Sequence, residues 1–201
     1  MINNQKITLA ITGASGMPLA AKLLQELLDS NCLLHLVISK AGIITLHQEL
    51  NLALSGSPQL IKERLITGLN LPNGHNLSVF GIDDWYAPIA SGSSVNDAMV
   101  ICPCSMATLA KVANGIGDDL IVRAADVVLK ERKNLVIVPR EMPFSAIHLE
   151  NMLKLARLGV GIVPPIPEFY THPLSINDII NSIVSRIMDQ LGVVNNLSKR
   201  W

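Results

Sequence analysis

Arginine and hydroxyl side chains stand at or just after the ends of several apolar segments of the sequence. Ser39 ends the segment LLHLVIS, Ser105 comes shortly after DAMVICP, and Arg140 follows NLVIVP. Arginine binds phosphate through parallel N–H donors, and a helix start offers further N–H groups to an anion. Together with a tyrosine in a proline-rich segment, these residue types favour a site for a phosphorylated, largely planar ligand. They do not specify a reaction.

The turn GASG, residues 13–16, follows the first apolar segment. Its glycines allow close backbone approach, and a helix beginning at its end would present N–H groups to an anion. It lacks the third glycine of the dinucleotide-binding fingerprint. The same string occurs in short-chain dehydrogenases, which need a Tyr-x-x-x-Lys pair, but Tyr86 and Tyr170 are followed four residues on by Ala90 and Leu174. We therefore exclude a dehydrogenase, while a plain strand-to-helix connection stays open.

The residue after the second apolar segment bears on which nucleotide binds. An enzyme that binds NAD usually places Asp or Glu there to accept from the ribose 2′-hydroxyl. This chain has Ser39-Lys40 instead, and a serine hydroxyl suits a phosphate or a flavin ribityl chain. The position favours a mononucleotide, with a plain helix N-cap as the other interpretation. Ser105 is expected to cap a second helix start that can face an anion.

Charged residues around the segment NLVIVP give a second group of candidates. Arg140 and Glu141 stand at its end, and an ion pair at the end of a buried strand is costly unless it meets a ligand or a partner. Arg123 and Lys130 are seven residues apart and share one helix face, a spacing that by itself favours a solvated surface. Tyr170 adds a phenolic hydroxyl after a proline-rich segment.

Apolar segments alternate with helical patterns along the chain, which is typical of a parallel sheet covered on both faces. We predict a single doubly wound, Rossmann-like α/β domain over residues 1–201. Its ligand is expected at the carboxyl ends of the strands, near the switch in strand order. A helix is expected from about Ala41 to Leu54, and residues 55–75 are expected to connect elements around one short helix. The expected strands are KITLAIT, LLHLVIS, DAMVICP, NLVIVP and VGIVPP.

Composition excludes several kinds of partner. The chain carries 16 basic and 16 acidic residues and no basic run, so neither nucleic acid nor an anionic membrane is expected to bind. No apolar stretch is long enough to cross a bilayer, and the cytoplasm fits best. Cys32, Cys102 and Cys104 fit neither a disulfide framework nor a zinc site, so we expect buried packing residues and no metal. With 49% hydrophobic and 16% charged residues, a homo-oligomer is favoured.

Several motifs occur in one order: GASG, SKA, SGS, CPCS, RAADVVLKER, VPRE followed by HLENM, a proline-rich segment ending in FY, and an arginine in the last helix. Together they resemble the UbiX-type flavin prenyltransferases over nearly the whole chain. The resemblance implies an enzyme that joins the dimethylallyl group of dimethylallyl monophosphate to N5 and C6 of reduced FMN. The implied product, prenylated FMN, serves UbiD-type decarboxylases, and the implied assembly is a dodecamer with sites at subunit interfaces.

The resemblance also implies roles for individual residues. The expected flavin contacts are Gly13, Ala14, Ser15, Ser39, Ser105, Met106, Ala107, Thr108, Arg123 and Arg140. The expected prenyl-phosphate contacts are Trp85, Lys130, Arg140, Tyr170 and Arg186. The residues expected to act in catalysis are Ser15, Glu49, Lys130, Glu141 and Tyr170. Cations suit a departing phosphate, aromatic faces suit an allylic cation, and carboxylates near the ring suit proton transfer.

Two other functions stay open at this point. A flavin-dependent cysteine decarboxylase would use a histidine near the second helix, where His47 stands. That chemistry leaves RAADVVLKER, Arg140-Glu141 and Tyr170 without a role. A non-catalytic FMN carrier would leave the implied phosphate group of Lys130, Tyr170 and Arg186 without a purpose.

Overall fold

The strands form one parallel sheet in the computed structural model, which describes residues 5–198. They are β1 (Lys6–Ile11), β2 (Leu33–Ile38), β3 (Leu77–Phe80), β4 (Ala98–Cys104), β5 (Asn134–Pro139) and β6 (Gly161–Ile162). Their order across the sheet is β3-β2-β1-β4-β5-β6, and each neighbouring pair is parallel. The chain builds outward from β1 in one direction and from β4 in the other, which places the switch in strand order between these two strands.

Helices cover both faces of the sheet. They are α1 (Met17–Asp29), α2 (Lys40–Leu50), α3 (Pro58–Gly68), α4 (Met106–Ala113), α5 (Leu120–Lys130), α6 (Ala146–Arg157) and α7 (Ile176–Leu191). A serine or aspartate side chain caps each helix start from α2 to α7, as these residue types do at the first turn. Within residues 5–198, none of the helices combines the length and the hydropathy that a bilayer crossing demands.

Two apolar cores hold the helices onto the sheet. The first packs α1, α2, α3 and α7 against one face, and the second packs α4, α5 and α6 against the other. All seven residues of β4 are buried, because a central parallel strand is covered on both sides and must be apolar throughout. The predicted doubly wound α/β fold with a parallel sheet is confirmed.

The strand β3 is missing from the sequence prediction, which expected five strands. Its four residues pair only with β2 at the edge of the sheet. Ser78 is exposed, and Val79 and Phe80 are only half-buried. A short edge strand with one polar face carries too weak an apolar pattern to be distinguished from a loop.

The second helix ends earlier than predicted. It stops at Leu50, and Asn51 adopts a left-handed backbone with φ of 54°. Leu52 and Leu54 nevertheless lie in the first core. Buried leucines beyond the helix end extended the apolar pattern, so the predicted end at Leu54 was wrong.

Candidate functional site

Thr12 joins the two loops that meet at the switch in strand order. Its hydroxyl donates to the carbonyl oxygen of Pro103 at 2.8 Å and accepts from the backbone N–H of Ser105 at 2.8 Å. Its own N–H also donates to Pro103. The side chain is almost completely buried, so these bonds are shielded from water. They fix the GASG turn after β1 against the CPCS segment at the end of β4. Thr12 is the last residue of the predicted first strand and was not among the predicted site residues.

Ser39 connects the first turn to α2. Its N–H donates to Ile11 at 2.9 Å, and its hydroxyl accepts from Gly42 at 3.0 Å. A methyl group built onto Gly13 would lie 2.4 Å from the Cβ of Ala41, so only glycine lets α2 approach the turn this closely. The N-cap interpretation of Ser39 is therefore confirmed, and its contact with a ligand stays a prediction.

The start of α1 is occupied by a carboxylate of the same chain. Glu49, at the end of α2, accepts from the N–H of Met17 at 2.8 Å and of Gly16 at 3.0 Å. Partial burial opposes ionisation of Glu49, but bonds from Ser15, Met17 and Gly16, with the charge of Arg140, outweigh it and lower the pKa of its carboxyl. The prediction that these helix N–H groups stand unpaired for an anionic ligand was wrong. Ser15 and Glu49 are instead brought into contact.

The start of α4 differs, because its first N–H groups remain available. Ser105 caps the helix by accepting from Thr108, as predicted, and the two hydroxyls lie 3.0 Å apart. The N–H groups of Met106 and Ala107 precede the intrahelical bonding pattern. Within residues 5–198 they have no other acceptor. Ala107 is exposed. This turn therefore offers donors to an acceptor-bearing ligand.

Arg140 stands beside this turn at the end of β5. Its N–H donates to the carbonyl of Cys104 at 3.2 Å. Its Nε is buried and has no hydrogen-bond partner among the described residues, which is costly unless a ligand or a neighbouring molecule supplies an acceptor. Arg140 and Glu141 do not pair with each other within residues 5–198, and Glu141 accepts from the N–H of Met142 instead. The positive charge of Arg140 acts on Glu49.

Arg123 and Lys130 lie along α5 against the loop that leads into β4. Arg123 donates from Nε to the carbonyl of Ala90 at 3.1 Å and pairs with Asp126. Lys130 pairs with Glu131, and both side chains crowd the space above Gly92. Lys130 therefore lies against the SGS loop, residues 91–93, and Arg123 against Ala90 just before it.

Tyr170 and Arg186 belong to a third group around a cavity of about 420 Å³. The cavity is lined by Arg186 of α7 and by Glu168 of the proline-rich segment. Glu168 accepts from the hydroxyl of Tyr170 at 3.1 Å, and Arg186 pairs with Asp189 at 3.1 Å. Neither carboxylate was among the predicted site residues, although Glu168 stands in the proline-rich motif and Asp189 lies one helical turn from Arg186.

Trp85 follows β3, the strand at the far side of the sheet, and its side chain is half-exposed. Trp85 stands in the segment between β3 and β4, in which the carbonyl of Ile82 accepts from the N–H of Leu120 at the start of α5.

The three cysteines are free and buried, as predicted. Burial raises the pKa of Cys32 to about 11 and that of Cys102 to about 12, and it raises the pKa of Cys104 as well. These thiols are not ionised near neutral pH and lack the nucleophilic thiolate form. Within residues 5–198, no group of three or more His, Cys, Asp or Glu side chains could hold a metal ion.

Comparisons with known proteins bear on this arrangement. The Flavoprotein family model matches residues 1–188. The flavin prenyltransferase UbiX of Pseudomonas aeruginosa is 48% identical over 201 residues, covering 100% of this chain and 96% of that protein. A crystal structure of AnUbiX in complex with FMN and dimethylallyl pyrophosphate is 40% identical, with a TM-score of 0.85 and coverage of 98% and 97%. A dodecameric FMN-dependent UbiX-like decarboxylase from Escherichia coli O157:H7 is 43% identical, with a TM-score of 0.83 and 98% coverage of both chains. The chain therefore belongs to the flavoprotein family and, within it, to the UbiX flavin prenyltransferases.

Proposed function

We propose that this enzyme binds reduced FMN at the carboxyl edge of β1, β2, β4 and β5, and alkylates it with a dimethylallyl phosphate. The observation that carries the proposal is a connected group of polar residues at the switch in strand order. Thr12 fixes two loops there, the first turn of α4 offers open N–H groups, and the buried Nε of Arg140 has no acceptor in the described chain. Acceptor atoms of FMN would meet these donors.

Other residues at this edge of the sheet also suit a bound flavin. Gly13, Ala14 and Ser15 form the turn beside Ser39, and residues 105–108 form the facing turn. Bound reduced FMN would supply N5 as the nucleophile for the allylic carbon, with phosphate leaving as the C–O bond breaks and taking up the N5 proton. Protonation of the remaining alkene would then let C6 form the second bond and release its own proton, so that the flavin gains C5H8 overall. Ser15 and Glu49 share a hydrogen bond, so this pair would hold a proton near the flavin. Glu141, exposed beside Arg140, is our second candidate for proton transfer.

The proposed phosphate ligands cannot all meet within one chain. Lys130 ends the helix before β5, and Arg140 follows the end of β5. The strand places about 17 Å between its ends, and Lys130 is held over Gly92 at the loop that leads into β4. We therefore propose that one site takes Arg140 from one subunit, and Lys130 and the pair Tyr170 and Arg186 from neighbours. Arg123 and Trp85 would join the site beside these residues.

A homo-oligomer accounts for several exposed apolar side chains. Ile147, Leu149 and Leu153 on α6 are each at least half-exposed, and Met142, between β5 and α6, is 88% exposed. Such surface is usually buried against another molecule. We propose a dodecamer, as in the structurally similar E. coli protein. Buried free thiols fit a reducing compartment, so we infer a cytoplasmic location.

The proposed site residues would have distinct roles in the reaction. Lys130, Arg140 and Arg186 would stabilise negative charge on the departing phosphate oxygens, which is usually the largest single contribution in such reactions. Tyr170 and Trp85 would place aromatic faces beside the allylic cation. No metal is needed for these steps. We propose that the prenylated FMN passes to a UbiD-type decarboxylase.

The test is anaerobic incubation of the purified protein with reduced FMN and dimethylallyl monophosphate, followed by mass spectrometry of the released flavin. The proposal expects a flavin heavier by one C5H8 unit. Recovery of unmodified flavin from folded protein that binds FMN would contradict it and leave an FMN carrier. Release of carbon dioxide from a cysteine-containing peptide would instead indicate a decarboxylase. His47, the histidine that such an enzyme would use, is exposed on α2.

A further inference from the structure

We propose that Asp189 and Asn195 are positioning residues that hold the guanidinium of Arg186, a residue that lines the 420 Å³ cavity. The inference rests on the proposed function, in which Arg186 binds the prenyl phosphate. Arg186 donates from Nη1 to one carboxylate oxygen of Asp189 at 3.1 Å. The other oxygen of Asp189 accepts from the side-chain amide of Asn195 at 3.1 Å. A continuous chain of contacts thus runs from the C-terminal segment through α7 to the cavity.

Asn195 is the buried end of this series of contacts. It is buried, and its amide N–H groups face Asp189 and the carbonyls of Ser185 and Val193. Its carbonyl accepts from the hydroxyl of Ser185 at 2.7 Å. A buried amide with both ends satisfied is held in one orientation. Asn195 therefore fixes the carboxylate of Asp189 through a side chain that cannot rotate freely.

Arg186 needs such an anchor because its side chain is largely exposed. The side chain of Arg186 is 57% exposed, whereas the side chain of Asp189 is 19% exposed. A long cationic side chain in water has many rotamers, and ordering it on substrate binding costs free energy. One bond to Asp189 leaves the remaining donors of the planar guanidinium available for a phosphate. Pre-ordering of this kind strengthens binding without a new contact to the ligand.

A double-mutant cycle on Asp189 and Arg186 tests the inference. Dimethylallyl monophosphate binding is measured by calorimetry on protein loaded with oxidised FMN, which is not nucleophilic at N5, so that affinity is read without turnover. Asp189→Ala is expected to weaken this affinity about fivefold, the size of an ion pair at a partly exposed site. In the Arg186→Ala background the same substitution is expected to change nothing, because Asp189 acts through Arg186. Equal loss in both backgrounds, or no loss in either, would overturn the proposal.

Further variants separate positioning from general destabilisation. Asp189→Asn keeps the shape and one acceptor, so its affinity is expected to fall between those of the wild type and Asp189→Ala; an affinity no better than that of Asp189→Ala would contradict the role. Glu26→Gln, which removes the Lys22–Glu26 pair on α1, is the matched control and is expected to leave affinity unchanged. FMN affinity should be the same in all variants. If the wild type makes no prenylated flavin, the proposed function fails, whereas an active wild type with an additive cycle refutes only the positioning role.

Discussion

The two halves of the proposed site are built in different ways. The flavin half is connected within one chain: Thr12 joins the loops after β1 and β4, and Ser39 and Arg140 attach to the same edge by backbone bonds. The prenyl-phosphate half is divided, with Lys130 against the SGS loop and Arg186 beside a cavity lined by α7 and the proline-rich segment. Under this proposal a single chain organises the flavin site and only parts of the prenyl-phosphate site.

The difference shows how oligomerisation can control a reactive chemistry. An allylic phosphate ionises readily only where several cations surround its oxygens. If those cations come from separate subunits, the isolated chain could bind flavin without a complete site for the prenyl donor. Substitutions in the two halves should therefore have separable effects on flavin binding and on turnover.

The largest expected effect comes from Lys130→Ala. Loss of one cation on the departing phosphate should lower kcat about 100-fold, while the dissociation constant for FMN stays unchanged because the flavin half is intact. Steady-state kinetics and fluorescence titration of FMN measure the two quantities. Lys133→Ala, an exposed lysine three residues further on, is the control and should leave both unaltered. Weakened FMN binding in Lys130→Ala would contradict the separation of the flavin half from the prenyl-phosphate half.

Thr12→Val should have the next largest effect, which is on protein stability and FMN binding. Valine keeps the volume but removes the buried bond to the Pro103 carbonyl and leaves the partly buried Ser105 N–H without its acceptor. These losses should lower the free energy of unfolding by about 2 kcal/mol and weaken FMN binding. Chemical denaturation and FMN titration provide the measurements. Thr67→Val on the exposed face of α3 is the control, with an expected change below about 0.5 kcal/mol. An unchanged stability of Thr12→Val would show that the two loops are not held by this side chain.

Glu49→Gln should have the smallest effect on stability, and that effect should depend on pH. The pKa of Glu49 is lowered in the folded protein, so its stabilising contribution is present above the ordinary glutamate range and disappears as pH falls through the folded pKa. At neutral pH the variant should be less stable by under about 1 kcal/mol, since Glu49 is largely exposed. The difference from wild type should close below the ordinary range. Thermal unfolding between neutral and acidic pH tests this, with Glu150→Gln as control; a constant difference would exclude the role.

The sequence allowed prediction of the sheet and of most strand ends, because buried parallel strands are continuous apolar runs that end in small or hydroxyl residues. Ser105 as a helix cap followed from the same pattern. Glu49 at the start of α1 could not be foreseen, since 33 residues separate it from Gly16 and only the packing of α2 on the turn brings them together. Asp189 and Asn195 lie close to Arg186 in sequence, but their types are ordinary for a surface helix and its end and gave no signal of a role.

The central claim is that the complete site takes Lys130 and Arg140 from different subunits, and subunit complementation tests it most directly. Lys130→Ala and Arg140→Ala chains, each carrying a different affinity tag, are coexpressed, and mixed assemblies are isolated through both tags. Each variant alone should be nearly inactive in forming prenylated FMN, whereas mixed assemblies should regain a measurable fraction of wild-type activity, because some sites receive both intact residues. Mixed assemblies no more active than the separate variants would contradict the claim.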